Sequence, residues 1–468
     1  MITNIEDGIN NVELMISPFH DCNELNQDTT PMIIDVNNKD WDILWRNVTK
    51  IVDIKVYNKK INKTILSNSS GYVKAGEMLA IVGSSGSGKT TLLHVLAGRT
   101  SKIGEVYING YKYADDMRRR ISFILQDDIF LNSSTYTVRD HLNFNCALKS
   151  NSKVNFSERT LLIDEMTMRL GINHILDIPI ELISGGEKKR CSIAAGLFGD
   201  SKILLIDEGS SGLDSGSALA LQRILKQISE EKRVSIIQSI HQPSSQIYSL
   251  FSKLLILSEG KTIFYGPCSN LLDYLSSVGL NDPILRVSPL DYVLDVLYVE
   301  DAKKQRLVET WNNDELLSVI DSVVESYTIN DNGKRALIKY PANYFRQLLH
   351  LFLRSLKSSS TNAFSVLNIT QTIFVAIVTG ICWLQLEANT ESNVAEVSGY
   401  LFFLNSYWLF AGLFGGLLEF IPELKVFELD RRAGLYRLSP YFISKTISCL
   451  PAKVLLPTIF CMISYPMV

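Results

Sequence analysis

The sequence predicts a chain in two parts: an α/β domain organised around a parallel β-sheet, followed by an α-helical domain that crosses a membrane. Two observations carry this prediction. In the first part, short apolar runs typical of buried strands enter a glycine-rich loop and an acidic pair. In the second part, charged residues become sparse beyond about residue 360 and long uncharged stretches follow.

Composition narrows the functional classes. The net charge of −3 leaves no basic field, so we exclude nucleic acid as a partner. The seven cysteines are scattered without metal-ligand spacing, which predicts thiols in a reducing compartment and no zinc site. Residues 1–40 are rich in Asn, Asp and Ser and lack a basic segment followed by an apolar run. We therefore predict a flexible lead-in there, without a secretory signal.

The glycine-rich loop has the spacing of a phosphate-binding loop. The run Met78–Val82 enters Gly83-Ser84-Ser85-Gly86-Ser87-Gly88-Lys89-Thr90-Thr91, and a helical pattern follows to Ala97. Glycines let backbone N–H groups surround a phosphate, and the helix N-terminus adds partial positive charge. We predict that residues 83–91 bind nucleotide phosphates, with Lys89 on the β- and γ-phosphates and the Thr90 hydroxyl on Mg²⁺.

Two further strand-like runs end in polar side chains. Residues 202–206 precede Asp207 and Glu208, and residues 234–240 precede His241. Because ligands in open α/β sheets gather at the carboxyl ends of strands, we expect these side chains beside the phosphate loop. Asp207 is predicted to hold Mg²⁺ through water, Glu208 to polarise the attacking water, and His241 to contact the γ-phosphate.

A helical pattern opens at Ser184-Gly185-Gly186-Glu187. Ser184 can cap this helix, which leaves N–H groups and a positive dipole facing outward. Two interpretations stay open: a capped surface helix with a basic face, or a second phosphate-facing site that serves a nucleotide held by another copy.

These motifs, in their order along the chain, resemble the landmarks of ATP-binding cassette proteins. The matching segments are the signature motif at Ser184–Glu187, the Q-loop glutamine Gln126, the D-loop at Ser211–Ser215 and the switch histidine His241. Glu187 stands where the family more often has Gln, and Gly209-Ser210 where it usually has Pro-Thr. Tyr57 is a candidate for the aromatic that stacks on adenine.

The resemblance implies a shared mechanism with ATP and Mg²⁺. It makes Glu208, His241 and Gln126 catalytic, and it makes Thr90, Gln126 and Asp207 the Mg²⁺ ligands. Two cassettes would pack head to tail, so that each ATP lies between one phosphate loop and the partner's Ser184, Gly185 and Gly186. The sequence contains one cassette, so the resemblance implies a second half-transporter, identical or different.

The second part begins with a predicted amphipathic helix at residues 341–357. Phe345, Leu349 and Leu356 lie near one face, with Arg, His and Lys side chains interleaved. We interpret this helix as lying at a membrane surface and connecting the two parts, with a core-facing helix as the alternative.

Uncharged segments then predict membrane spans. Residues 366–386 and 399–418 are each long enough to cross about 30 Å of hydrocarbon. The loop at 387–398 is acidic and the following connection is basic, so the positive-inside rule places the basic connection and the ATPase domain in the cytosol. A third run, 454–468, is predicted to be an incomplete span, cut off inside a helix.

The order of cassette and membrane domain resembles the G subfamily, the white-type half-transporters. Local matches support this resemblance at Ile240–Ser244, Phe264–Pro267, Ser288–Tyr292 and Val426–Arg437. The predicted domains are the lead-in 1–40, the cassette 41–300, a linker 301–340, the connecting helix 341–357 and a partial membrane domain 358–468.

Three functions are weighed. The leading one is an ATP-driven half-transporter, multi-pass in the plasma membrane or an intracellular vesicle membrane. It would contact membrane lipid and export a hydrophobic or amphipathic substrate, such as a lipid, sterol, pigment precursor or xenobiotic. The second is a regulatory partner that binds ATP and transports nothing. The third, a soluble cassette ATPase for DNA repair or translation, is disfavoured by the uncharged spans.

Overall fold

A computed structural model describes most of the chain. The described residues are 42–56, 59–131, 134–150, 154–199, 201–280, 289–299, 301–311, 314–329, 340–363, 366–384 and 391–468. The predicted lead-in 1–40, the adenine candidate Tyr57, part of the linker and the start of the acidic loop lie outside them.

Within the described residues, ten strands form two sheets. They are β1 (Ile43–Val56), β2 (Lys59–Val73), β3 (Met78–Gly83), β4 (Ile103–Ile108), β5 (Tyr111–Lys112), β6 (Ile121–Ile124), β7 (Ile203–Ile206), β8 (Ser235–Ser239), β9 (Lys253–Ser258) and β10 (Lys261–Pro267). One sheet is antiparallel with the order β2-β1-β4-β5. The other has the order β10-β9-β3-β8-β7-β6 and is parallel except for β10.

The described helices cover the parallel sheet and then form the second part of the chain. They are α1 (Lys89–Leu96), α2 (Val138–Lys149), α3 (Phe156–Arg169), α4 (Gly185–Leu197), α5 (Ser215–Lys232), α6 (Ser245–Tyr248), α7 (Leu271–Ser277), α8 (Pro289–Val299), α9 (Asp301–Thr310), α10 (Asp314–Ile329), α11 (Tyr344–Ala363), α12 (Val366–Cys382), α13 (Glu391–Arg432) and α14 (Leu438–Ser464).

The central strands are apolar throughout because both faces of the parallel sheet are covered. Met78, Ala80 and Val82 of β3 lie in the core beneath α4 and α5, whereas Leu79 and Ile81 lie in the core shared with α1 and the antiparallel sheet. Successive side chains of a strand point to opposite faces, so a strand covered on both sides needs no polar alternation. The prediction of buried parallel strands is confirmed.

The helices of the second part are longer than predicted. The expected span 399–418 is the middle of α13, which has 42 residues because the basic segment after the span is helical. The expected incomplete run 454–468 is the second half of α14, a helix of 27 residues that ends at Ser464. Both helices therefore extend beyond the predicted uncharged segments at their N-terminal ends, and α13 also extends beyond its segment at the C-terminal end.

A charge pair explains why the start of α14 was missed. Lys445 argued against an apolar span in the sequence, but its Nζ lies 2.8 Å from Glu423 Oε2 of α13, and both side chains are largely buried. A paired charge within a helix bundle costs far less free energy than an isolated one.

Two described helical segments, Val394–Leu418 and Leu438–Ser464, are long and apolar enough to cross a membrane, whereas α12 is shorter.

Helix α11 is amphipathic, but its buried side is mostly polar and includes one buried leucine, Leu351. Phe345 is 80% exposed and Leu349 and Leu353 are also exposed, whereas Gln347 and Arg354 are buried. The helix begins at Tyr344, three residues after the predicted start, and ends at Ala363, six residues after the predicted end. The outward apolar stripe is the arrangement expected of a helix at a membrane surface, and it argues against the core-facing alternative.

Arg354 joins the two parts of the chain. Its Nη1 donates to Asp430 Oδ2 at 2.7 Å and its Nη2 to the Tyr436 hydroxyl at 3.3 Å, while that hydroxyl donates to Asp430 Oδ2 at 3.0 Å. The guanidinium also lies 4.1 Å from the ring centroid of Phe144 in α2. Nearby, Lys357 Nζ contacts both carboxylate oxygens of Asp140 at 2.7 Å. Helix α11 thus connects α2 to the turn between α13 and α14.

Replacement of Asp430 tests this junction. Asp430→Asn leaves the Arg354 charge buried without a counterion, so we expect a loss of about 3–5 kcal/mol of stability and a clear fall in the thermal midpoint. The measurement is tryptophan fluorescence of the purified chain on heating in detergent. The control is Glu428→Gln, which removes an exposed pair with Arg432 on the same helix and should cost less than about 1 kcal/mol. Equal midpoints for the two variants would contradict the assignment.

Candidate nucleotide site

The glycine-rich loop runs from the end of β3 to the start of α1, and close packing demands its glycines. A Cβ on Gly83 would lie 2.2 Å from the carbonyl oxygen of Leu257, and a Cβ on Gly88 would lie 2.7 Å from Leu66 Cδ2. Gly88 also has φ of 102° and precedes the first residue of α1. The loop therefore holds its backbone against the sheet and leaves the N-terminus of α1 open for an anion.

Lys89 lies at the centre of this loop. Its Nζ donates to the carbonyl oxygens of Gly83 at 2.8 Å and Ser84 at 2.9 Å. Burial lowers the pKa of Lys89, and the charges of Glu208 and Asp207 partly offset this effect. The ammonium thus lies inside the loop that is predicted to bind phosphates.

Asp207 connects three neighbouring strand ends. Its Oδ1 accepts hydrogen bonds from the hydroxyl of Thr90, after β3, at 3.1 Å and from the hydroxyl of Ser239, at the end of β8, at 2.6 Å. Asp207 itself follows β7 and is 3% exposed. Sequence reasoning missed Ser239, although its position two residues before His241 at a strand end was the available signal.

Glu208 is held by the two other predicted catalytic residues. Gln126 Nε2 donates to Glu208 Oε2 at 2.7 Å, and His241 Nε2 lies 2.6 Å from Glu208 Oε1. The backbone N–H of Glu208 donates to the Ser239 hydroxyl at 2.9 Å. Glu208 has φ of 49°, a conformation that costs a non-glycine residue about 1–3 kcal/mol and is typical of functional sites.

The order of the parallel strands explains this convergence. Strands β3, β8, β7 and β6 are adjacent, and the phosphate loop, His241, Asp207 and Gln126 follow them respectively. The carboxyl ends of parallel strands meet at one edge of a sheet. Residues separated by more than 150 positions in sequence therefore meet at one place.

Ser184 caps α4, as predicted. Its hydroxyl accepts from the Glu187 N–H, and the Glu187 carboxylate accepts from the Ser184 N–H at 2.8 Å and hydroxyl at 2.7 Å. These hydrogen bonds from Ser184, followed by one from His174, hold the pKa of Glu187 below its usual value. A carboxylate in place of the family's usual glutamine thus completes a capping box.

The signature segment is separate from the phosphate loop of its own chain. Ser184 and Gly185 are exposed, and the described hydrogen bonds of the Ser184 side chain are with Glu187 of the same helix start. The structure therefore brings together Lys89, Thr90, Gln126, Asp207, Glu208 and His241, and leaves Ser184, Gly185 and Gly186 facing outward.

Lys189 connects α4 to the Gln126 segment, and sequence reasoning missed it. Its Nζ donates to the carbonyl oxygens of Leu125 at 2.7 Å and Gln126 at 2.9 Å, and lies 3.6 Å from Asp128 Oδ2. The residue is 3% exposed. In the sequence it was assigned to a basic surface, because three consecutive basic residues gave no signal that one of them is buried.

The donor set fits Mg²⁺. Thr90 and Asp207 offer a hydroxyl and a carboxylate oxygen within 3.1 Å of each other. Among the described residues, no group of three or more His, Cys, Asp or Glu side chains is arranged to hold a metal. Mg²⁺ is usually held by one or two protein oxygens together with substrate phosphates and water, so this small set is the expected one.

The buried ammonium of Lys189 predicts a positioning role. Lys189→Met leaves two carbonyl oxygens without a donor and releases the Gln126 segment, so we expect kcat for ATP hydrolysis to fall about tenfold to a hundredfold with a smaller change in KM. The measurement is steady-state phosphate release by the chain in lipid. Lys188→Met is the matched control, because Lys188 makes only a long contact to the Glu181 carbonyl at 3.4 Å. Equal rates of ATP hydrolysis for the two variants would contradict a positioning role for Lys189.

Comparison with known proteins places this geometry in a family. Residues 66–211 match the family model described as ABC transporter, and residues 346–468 and 241–338 match two models described as ABC-2 type transporter. The chain is 31% identical over 467 residues to ABC transporter G family member 22 of Arabidopsis thaliana, covering 90% of this chain and 61% of the relative. It is 32% identical over 430 residues to Protein white of Drosophila melanogaster, covering 87% and 62%.

A third relative matches this chain over a larger share of its own length. ABC transporter G family member 22 of Dictyostelium discoideum is 31% identical over 460 residues, which cover 92% of this chain and 74% of the relative. The chain spans less than two thirds of the length of the Arabidopsis and Drosophila relatives. Its ABC nucleotide-binding domain comes first and a helical ABC-2 membrane domain follows. The chain is a membrane protein that belongs to the ABC transporter G family.

Proposed function

We propose that this chain is a half-transporter that couples ATP hydrolysis to the export of a hydrophobic or amphipathic substrate. The observation that carries the proposal is the position of the Glu208 carboxylate. Gln126 and His241 contact its two oxygens beside the phosphate loop. A carboxylate fixed at a strand end, facing a phosphate site, is placed to accept a hydrogen bond from an attacking water.

The phosphate loop binds the triphosphate. The N–H groups of residues 83–91 and the ammonium of Lys89 donate to phosphate oxygens. The hydroxyl of Thr90, the carboxylate of Asp207 and the Gln126 amide oxygen would hold Mg²⁺, which would supply positive charge to the β- and γ-phosphates. His241 keeps the Glu208 carboxylate oriented and lies within reach of the γ-phosphate.

A second cassette completes the site. Ser184, Gly185 and Gly186 are directed away from their own phosphate loop, and the exposed N-terminus of α4 offers N–H groups to an anion. In a head-to-tail pair, this helix start would contact the γ-phosphate held by the partner. The partner is a second half-transporter, identical or different.

Hydrolysis reaches the membrane helices through the junction at Arg354. Lys189 fixes the Gln126 segment to α4, and α2 contacts α11 and the turn between α13 and α14. Because the cassette packs against that turn, we place the turn on the cytosolic side of a multi-pass membrane domain, in the plasma membrane or an intracellular vesicle membrane. The substrates are lipids, sterols, pigment precursors or xenobiotics. The proposed domains are the lead-in 1–40, the cassette 41–300, the linker 301–340 and the membrane part that follows it.

Substitution of Glu208 tests the proposed chemistry. In the purified chain in lipid, we expect Glu208→Gln to lower vanadate-sensitive ATP hydrolysis about a hundredfold or more, because it loses the general base while keeping the shape of the site. Binding of a fluorescent ATP analogue should be retained. Glu230→Gln, an exposed carboxylate on α5 paired only with Lys226, is the control and should hydrolyse ATP at the wild-type rate. Undiminished hydrolysis by Glu208→Gln would refute the assignment.

A further inference from the structure

A cavity of about 150 Å³ lies between the nucleotide-binding domain and the end of α13. Its wall includes Arg99 and Arg119 beside the parallel sheet, Lys149 at the end of α2, and Arg432 and Gly434 from the second part of the chain. The volume holds several water molecules, so it admits a phosphoryl group. None of the nucleotide-site residues 83–91 lines it.

The cavity wall carries more positive than negative charge. The lining cations are Arg99, Arg118, Arg119, Lys149 and Arg432, and the lining carboxylates are Asp127, Asp128 and Asp430. Two of these carboxylates already have cations outside the lining: Asp430 is paired with Arg354 at 2.7 Å, and Asp128 lies 3.6 Å from Lys189. The lining therefore contains five cations and three carboxylates, and two of those carboxylates are already paired with cations outside it.

Arg99 and Arg432 oppose each other across the junction. Burial lowers the pKa of Arg99 to about 10, and the charge of Arg432 contributes to this shift. Arg99 Nη1 is buried and has no hydrogen-bond acceptor among the described residues. The guanidinium lies 4.3 Å from the ring centroid of Phe123, which fixes its plane. The described ion pair of Arg432 is with Glu428, at 3.4 Å and largely exposed.

We propose that this cavity binds a phosphomonoester whose oxygens accept hydrogen bonds from Arg99 and Arg432 and join the two domains. Two guanidinium groups facing one small cavity match a phosphate dianion, because arginine donates in pairs to planar or tetrahedral oxyanions. The site is distinct from the ATP site, since its ligands lie beyond α1 and at the end of α13.

Two sources can supply this group. Arg432 ends α13, about 21 Å of helix beyond the apolar segment Val394–Leu418 that is long enough to span a bilayer. A headgroup that projects far from the bilayer surface, such as that of a phosphorylated inositol lipid, is therefore the lipid source to test. A free organic or inorganic phosphate offers the same oxygens. Because Arg99 lies three residues beyond α1, the bound group would connect the helix of the phosphate loop to α13.

The test measures binding directly, so that it does not depend on ATP hydrolysis. The protein is the purified full chain in detergent carrying Lys89→Ala, which weakens anion binding at the phosphate loop. The probes are dioctanoyl phosphatidylinositol 4-phosphate, dioctanoyl phosphatidylglycerol and inorganic phosphate, and the readout is the rise in thermal midpoint with probe concentration.

We expect phosphatidylinositol 4-phosphate to raise the midpoint more than phosphatidylglycerol does. Arg99→Gln and Arg432→Gln should each increase its half-saturating concentration about tenfold or more, because each removes a charged hydrogen bond. Arg431→Gln is the matched control on the same helix end, because Arg431 does not line the cavity. Arg99→Glu should fold, since the new carboxylate faces Arg432, and should abolish binding.

The outcomes separate the two sources. A response to phosphatidylinositol 4-phosphate that exceeds the response to inorganic phosphate supports the lipid headgroup, and equal responses support a free phosphate. The proposal is overturned if no probe raises the midpoint, or if Arg99→Gln and Arg432→Gln respond like Arg431→Gln. Because the readout is binding, a chain that fails to hydrolyse ATP would still decide the question.

Discussion

The carboxylate of Asp207 is the interaction on which the organisation of the site depends. It accepts hydrogen bonds from Thr90 and Ser239 and thereby joins the ends of three adjacent parallel strands. The next residue, Glu208, has a left-handed backbone conformation, and its carboxylate contacts Gln126 and His241. A single buried carboxylate thus lies between the residues proposed to bind the metal ion and those proposed to activate water.

The same sheet edge is linked to the membrane helices by buried cations. Lys189 fixes the backbone beside Gln126, and Arg354 fixes α11 to Asp430 and Tyr436. Both cations are buried and hydrogen-bonded, so loss of either partner leaves an uncompensated group in the interior.

Local sequence signals predicted much of this arrangement. The apolar runs before Gly83 and Asp207 predicted buried strands, because strands of a parallel sheet covered on both faces are apolar throughout. The serine at position 184 predicted the N-terminal cap of α4. Pairing between distant residues was not visible. Lys189, Arg354 and Lys445 look like surface or boundary charges in sequence, and only the fold reveals their partners at Gln126, Asp430 and Glu423. The start of α14 and the polar buried face of α11 were missed for the same reason.

Head-to-tail pairing of two cassettes is tested most directly by disulfide formation between copies. One copy carries Ser85→Cys and the other carries Ser184→Cys with a larger tag, both in a Glu208→Gln background and reconstituted together. Ser85 and Ser184 are exposed and lie on the two predicted halves of the shared site. ATP should produce a mixed disulfide joining the tagged and untagged copies, and chains carrying only one of the two cysteines should produce none. A mixed disulfide that forms equally with and without ATP, or its absence with ATP bound, would contradict a site shared between two copies.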